Sequence, residues 1–305
     1  MKFYSHGKVL LTAEYAVMEG VKALALPTQK GQSLDIKYTN NQSIVWRSFT
    51  HDKKLWMHCI FNFDFECIEH YQTDTVLIRH LVQILKQLNQ LSPQFYGQGI
   101  AIETHLDFPR NWGLGSSSTL IFNLAQWLAI NPYELLDRTM GGSGYDIAVA
   151  NYGCPLFYTR MDYSPAIEPV EFFPVFTDQL FFVHLNKKQK SSEAILSFQR
   201  DNRLTPHYKK RLAAIGASLV KVNDQKRFNA LLFEHEKIIA HALNTPPIQE
   251  QLFSDFKGQI KSLGAWGGDF ILASGDKNTP SYFQQKGYPT VFSYTDFILT
   301  KKSPQ

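Results

Sequence analysis

A lysine near the start of the chain, a hydroxyl-rich glycine turn and an aspartate on a glycine bend are the residues whose types and spacing could do chemistry. The turn is Asn111-Trp112-Gly113-Leu114-Gly115-Ser116-Ser117-Ser118-Thr119, and the apolar run Leu120 to Leu128 follows it directly. That run is long enough for about three helical turns. Its start would gather free backbone N–H groups and the positive end of a helix dipole at one spot, which is an anion site. Glycines at 113 and 115 permit positive φ and a close approach by whatever binds there. A serine at the helix start is expected to act as its N-cap. The Gly-x-Gly-x-x-Gly and Gly-x-x-x-x-Gly-Lys-Ser/Thr loops are both absent. Taken alone, the turn fits an ordinary capped helix start as well as a phosphate cradle.

Two further segments carry chemistry. In Ser5-His6-Gly7-Lys8-Val9-Leu10-Leu11-Thr12-Ala13-Glu14, a short apolar strand is bracketed by a cation and an acid. Lys8 and Glu14 could meet at one cleft, or be two solvated strand ends. In Met140-Gly141-Gly142-Ser143-Gly144-Tyr145-Asp146, three glycines hold Asp146 on a tight bend before a run of small residues.

The elements that must position these residues alternate between strand and helix. A strand over 100–104 enters the turn, and Pro109 keeps Phe108 out of helix. Alternation over Ser33 to Arg47, broken at Asn40-Asn41, predicts a β-hairpin. Asp74 caps a helix running to Leu91, and Asn131-Pro132 opens a short one. Three prolines between Asp162 and Pro174 suggest a crossing between domains. Beyond it, strands are expected at 180–185, 270–273 and 290–298, with helical patterns at 206–223, 227–243, 247–263 and 280–286.

At 305 residues the chain suits one large or two medium domains. Its net charge of +4 is too small and scattered to argue for nucleic acid, though it would suit a small anionic substrate. Cys59, Cys67 and Cys154 show no Cys-x-x-Cys pairing, so neither a disulfide framework nor a zinc site is indicated. With no apolar signal region and no membrane-length stretch, the expectation is a soluble, cytoplasmic protein.

Three motifs in order give the chain a family resemblance. Gly7-Lys8-Val9-Leu10-Leu11-x-x-Glu14-Tyr15-Ala16-Val17 resembles the first motif of the GHMP kinases. Gly113-Leu114-Gly115-Ser116-Ser117-Ser118 is similar to their second, ATP-binding motif, and Lys261-x-x-Gly264-Ala265-x-Gly267-Gly268 to their third. The bend at Gly142–Asp146 and the Gly267-Gly268-Asp269 ending look most like phosphomevalonate kinases. Lys187-x-x-Lys190-Ser191-Ser192 is similar to a stretch of mevalonate kinases. The chain departs from the pattern at Ser5-His6 and Thr12-Ala13, and Trp266 stands where the third motif has a small residue.

The resemblance implies an α+β fold of two domains. Residues 1–165 would form an N-terminal ATP-binding domain with a left-handed βαβ unit, and residues 166–305 a C-terminal domain of ferredoxin-like layout. It implies ATP and Mg²⁺ as cofactors and phosphoryl transfer to an isoprenoid-pathway acceptor, phosphomevalonate or mevalonate. Gly113, Leu114, Gly115, Ser116, Ser117, Ser118 and Thr119 would wrap the phosphates. Ser117 and Glu134 would hold the metal, with Asp137 the second candidate acid. Asp146 would act on the acceptor with Lys8 beside it, and Glu14, Lys187, Lys190, Ser191, Ser192, Gly267 and Gly268 would line the acceptor site. Lys188 and Arg110 are further cations available to a phosphorylated acceptor. The partner expected is a small molecule, with no nucleic acid or membrane and a homodimer possible. Other readings are a non-catalytic metabolite or nucleotide sensor on a kinase fold, a diphosphomevalonate decarboxylase, and a sugar or homoserine kinase.

Overall fold

The computed structural model describes residues 1–93, 97–187, 198, 203–264, 266 and 268–300. The N-terminal half is built on an eight-stranded sheet. Its strands are β1 (Lys2–Leu10), β2 (Ala23–Thr39), β3 (Ile44–Phe49), β4 (Leu55–Phe61), β5 (Cys67–Tyr71), β6 (Gly99–Leu106), β7 (Leu156–Thr159) and β8 (Ala166–Pro169). They lie in the order β5-β4-β3-β6-β2-β7-β8, with β1 also paired to β2. The sheet therefore continues through Pro169, past the expected boundary at 165.

Gly99 explains why the hairpin expected over 33–47 does not form. β2 and β3 are strands, but β6 inserts between them, antiparallel to β2 and parallel to β3. The 40–43 connection arches over the start of β6, where the Ile100 amide donates to the Ser43 carbonyl at 3.1 Å. A Cβ on Gly99 would fall 1.9 Å from the Asn41 carbonyl oxygen. Only glycine leaves room for that arch. The Asn40-Asn41 turn signal was genuine, but a turn fixes local direction and not which strand pairs across it.

Helices α1 (Thr75–Leu91), α2 (Ser116–Leu128) and α3 (Pro132–Thr139) bury their apolar faces against this sheet. The expected caps hold for two of them: the Asp74 carboxylate accepts from Leu77 N at 2.7 Å, and Asn131 Oδ1 from Tyr133 N at 2.9 Å. Helix α4 (Tyr145–Tyr152) lies against β1 and β2 in the other core.

The C-terminal half carries a four-stranded antiparallel sheet in the order β10-β11-β9-β12. Its strands are β9 (Leu180–His184), β10 (Gln259–Ser262), β11 (Phe270–Ser274) and β12 (Val291–Ser293). Helices α5 (Pro206–Leu219), α6 (Gln225–Leu243), α7 (Ile248–Leu252), α8 (Thr279–Gln285) and α9 (Tyr294–Phe297) complete it. The strand order is that of a ferredoxin-like domain, so the two-domain α+β architecture holds. The helix expected over 247–263 stops at Leu252, and 259–262 forms a strand instead, because Ile260 is needed in the core beneath this sheet. The strand expected over 290–298 ends at Ser293, whose hydroxyl accepts from Asp296 N at 3.2 Å and starts α9. One continuous core joins the halves, from β1, β2 and α4 to β9, α5, α6 and β11.

Candidate active site at the junction of three glycine turns

Gly7 brings the first two motifs together. The β1–β2 register shifts between His6 and Lys8, and this bulge frees the Lys8 amide to donate to the Leu114 carbonyl at 3.1 Å rather than to β2. A Cβ on Gly7 would sit 2.8 Å from that same carbonyl oxygen. The Lys8 ammonium then reaches the Gly113 carbonyl at 3.2 Å and stands 5.1 Å from the Tyr145 ring centroid. Strand and turn are thus stitched by both the backbone and the side chain of one residue.

The cap of α2 differs from the expectation. Gly115, with φ 89°, is the N-cap, and no side chain closes the first turn. The cap is not one of the serines, since Ser116 is already the first helical residue. The difference strengthens the anion site, since a capping hydroxyl would occupy N–H groups that a ligand could use. Behind the turn, α2 is fixed by buried hydrogen bonds. Ser5 Oγ donates to Asn123 Oδ1, Asn123 Nδ2 to the Gln32 carbonyl at 3.0 Å, and Thr119 Oγ1 to Gln32 Oε1 at 2.7 Å.

Asp146 occupies the first turn of α4, after Gly144 with φ 84°. Its Oδ2 accepts from Ser118 Oγ at 2.6 Å, so the second motif holds the carboxylate directly. No ion pair at contact distance joins it to Lys8, yet its field reaches that ammonium. Burial opposes the charge on Lys8, but Tyr145, Asp146 and Asp269 together outweigh it and raise the lysine above its ordinary value. Lys8 is therefore a cation at neutral pH.

The third motif closes the cluster through Asp269. A Cβ on Gly113 would fall 2.3 Å from Asp269 Oδ2, so this carboxylate lies against the second-motif glycine. Asp269 has φ 52°, and its amide donates to the Lys187 carbonyl at 2.7 Å. Lys187 is exposed, with its backbone adjoining the cluster. Lys8, Leu114, Gly264 and Asp269 line one cavity of about 20 Å³. Trp266 is 6% exposed and belongs to the shared core. Gly268 is buried. Lys188, Lys190, Ser191, Ser192 and Gly267 lie outside the described residues.

Two expected site residues stand elsewhere. Glu14 is 1% exposed and bound to Lys261 Nζ, which also pairs with Glu236 Oε1 at 3.2 Å. His235 Nε2 lies 3.5 Å from Glu14 Oε2 and accepts from Ala13 N at 2.8 Å. This buried network ties the end of the first motif to the strand that opens the third. At that depth Glu14 is a strut rather than a surface for an acceptor. Burial outweighs the lysine and pushes Glu14 up to about 7, and burial also raises Glu236. Burial, then the lysine's charge, holds His235 well below its usual value. Glu134, expected at the metal, is instead engaged by Arg138 one turn on, and Asp137 accepts from the Tyr163 hydroxyl at 3.0 Å. Among the described residues no three acidic, His or Cys side chains gather as a metal site.

A second cavity, of about 200 Å³, opens beside the turn between β3, β4, β6 and α1. Ser116, Ser117 and Arg110 line it, and Trp46, Trp56 and Leu81 are among its apolar walls. Asp269, Tyr145 and this cavity were not assigned from sequence. Asp269 had a signal, since it ends the third motif; the cavity had none, because its walls come from six separate elements.

No protein-family model matches the chain, and no curated protein matches it by sequence. Comparison with solved structures shows the fold of the GHMP kinases over nearly the whole chain. Streptococcus pneumoniae phosphomevalonate kinase, solved with phosphomevalonate and AMPPNP, is 14% identical with a TM-score of 0.70, covering 96% of this chain and 99% of that one. Methanococcus jannaschii mevalonate kinase is 14% identical with a TM-score of 0.67, covering 96% of each chain. Lactococcus lactis galactokinase, solved with galactose, is 12% identical with a TM-score of 0.69, covering 98% of this chain and 93% of that one. No helix among the described residues is long and apolar enough to cross a membrane.

Proposed function

We propose that the protein is an ATP-dependent small-molecule kinase that transfers the γ-phosphoryl group to phosphomevalonate or mevalonate. The observation that carries the reading is the meeting of Lys8, the uncapped start of α2 and a Ser118-held Asp146 at one place. Phosphoryl transfer asks mainly for positioning and for neutralisation of charge, and this cluster offers both.

The residues fit a nucleotide. Gly113 and Gly115 have φ of 65° and 89°, so the turn can present backbone N–H groups to β- and γ-phosphates. The adjoining cavity of about 200 Å³ has aromatic walls suited to a base. They also fit Mg²⁺, which keeps several waters and needs few protein oxygens. The exposed Ser117 hydroxyl would supply one of them, while Glu134 is held by Arg138. Bound Mg²⁺ would neutralise charge between the phosphates.

Lys8 holds its positive charge beside the turn and stabilises negative charge that develops on a transferred group. Asp146, oriented by Ser118, accepts the proton of an acceptor hydroxyl or aligns the acceptor. Asp269 closes the turn from the C-terminal half, and in this reading Lys187, Lys190, Ser191, Ser192, Gly267 and Gly268 would bind the acceptor, as the family resemblance implies.

The test is a coupled ADP-release assay with ATP and Mg²⁺ against mevalonate, phosphomevalonate, galactose and homoserine, with carbon dioxide followed for diphosphomevalonate. Turnover with mevalonate or phosphomevalonate supports the assignment. Turnover with neither, while another acceptor reacts, moves the substrate; ATP binding with no turnover at all favours a sensor.

A further inference from the structure

We propose that Arg110 is a polyphosphate-binding arm, stowed on the ring of Trp56 until a nucleotide arrives. This rests on the nucleotide reading above and adds a residue to it. Arg110 immediately precedes the glycine turn, and its guanidinium carbon lies 3.4 Å from the Trp56 ring centroid, a stacked contact on β4. Both side chains border the cavity of about 200 Å³ that Ser116 and Ser117 also line.

The charge around that cavity is one-sided. No acidic side chain lines it, and among the described residues no ion pair includes Arg110. Asp74 acts on the guanidinium only at longer range, and its carboxylate already accepts from Leu77 N in capping α1. Partial burial of the guanidinium destabilises its charge further. The uncapped start of α2 presents a second positive end to the same space. Two positive features converging without a counter-charge are completed by an anion, and a phosphate at the α2 start is the anion both could share.

The guanidinium is free to make that exchange. Stacking on an indole is a weaker and less directional hold than a forked hydrogen bond to phosphate. Arg110 is exposed, so its release leaves no void in the core. The Trp56 ring, once uncovered, offers its face to the base.

The experiment is calorimetric titration of wild-type and Arg110→Ala protein with AMPPNP–Mg²⁺, inorganic tripolyphosphate and adenosine, with melting temperature as a folding control. The expected result is a tenfold to hundredfold loss of affinity for AMPPNP and tripolyphosphate, and less than twofold for adenosine. The salt dependence of AMPPNP binding should also flatten in the variant. Should Arg110→Ala not fold, Arg110→Gln removes the charge at nearly constant length and gives the same readout. Wild-type binding of AMPPNP with unchanged affinity in the variant overturns the arm alone. Equal losses for adenosine and AMPPNP assign Arg110 to the cavity wall and also overturn it. Wild-type protein that binds neither AMPPNP nor tripolyphosphate sinks the nucleotide reading and the arm together.

Discussion

Replacing Lys261 by Met should destabilise the protein by an amount that grows with pH. Lys261 is fully buried between Glu14 and Glu236, and the Met side chain has similar length but no charge. In the wild type, Glu14 titrates at about 7 against an ordinary value of 4.5, because burial outweighs the lysine. A raised carboxyl binds its proton more tightly in the folded state, so its contribution falls as pH rises from the unfolded value through the folded one. Without the lysine both carboxyls must remain protonated to stay buried, and the falling window extends upward. Each costs about 1.4 kcal/mol for every pH unit above its unfolded value. His235 is relieved of the lysine's charge, so it takes up a proton more readily at acid pH and adds to the same slope. In the wild type Glu14 carries this cost only up to about 7, so the loss relative to wild type should be small near pH 5 and grow at higher pH by about 1.4 kcal/mol per carboxyl for each pH unit above its wild-type value. Urea unfolding followed by tryptophan fluorescence at several pH values measures it. A loss that is the same at pH 5 and pH 8 would refute the reasoning.

The remaining expectations concern the site. Asp146→Asn should lower kcat about 10²–10⁴-fold with a hydroxyl acceptor, read by ADP release. With a phosphate acceptor, already largely ionised at neutral pH, the loss should be smaller. Ser118→Ala removes the hydroxyl that holds Asp146, and should lower kcat roughly tenfold with little change in acceptor KM, about the value of one hydrogen bond to a charged group; an unchanged kcat would show that Asp146 needs no such support. Gly113→Ala forces a side chain at φ 65° against Asp269, which costs roughly 1–2 kcal/mol for the backbone alone. AMPPNP titration should show weaker binding in that variant.

The site was legible where one segment carries both the residue and its geometry. Gly7-Lys8 holds the bulge and the ammonium in adjacent positions, and Gly113 and Gly115 announce the positive φ the turn adopts. The bend before Asp146 reads the same way. What stayed hidden depends on contacts between distant segments. Glu14 sits at the end of an apolar strand and looks solvent-facing in sequence, but Lys261 and His235, more than 200 positions away, enclose it. The α2 cap departs from serine preference because that preference describes an average helix, whereas Gly115 here turns the chain tightly past Lys8. Strand order in the large sheet was equally out of reach, since β6 enters between β2 and β3 only after the intervening β4, β5 and α1.

Phosphorus-31 spectroscopy of the protein with ATP, Mg²⁺ and each acceptor tests the central claim most directly. The account expects the γ-phosphate signal to decline as ADP and one new acceptor-phosphate signal appear together, at a rate that collapses in Lys8→Met and, with a hydroxyl acceptor, in Asp146→Asn. An ATP spectrum that never changes with any acceptor, or variants that transfer as fast as the wild type, would contradict it.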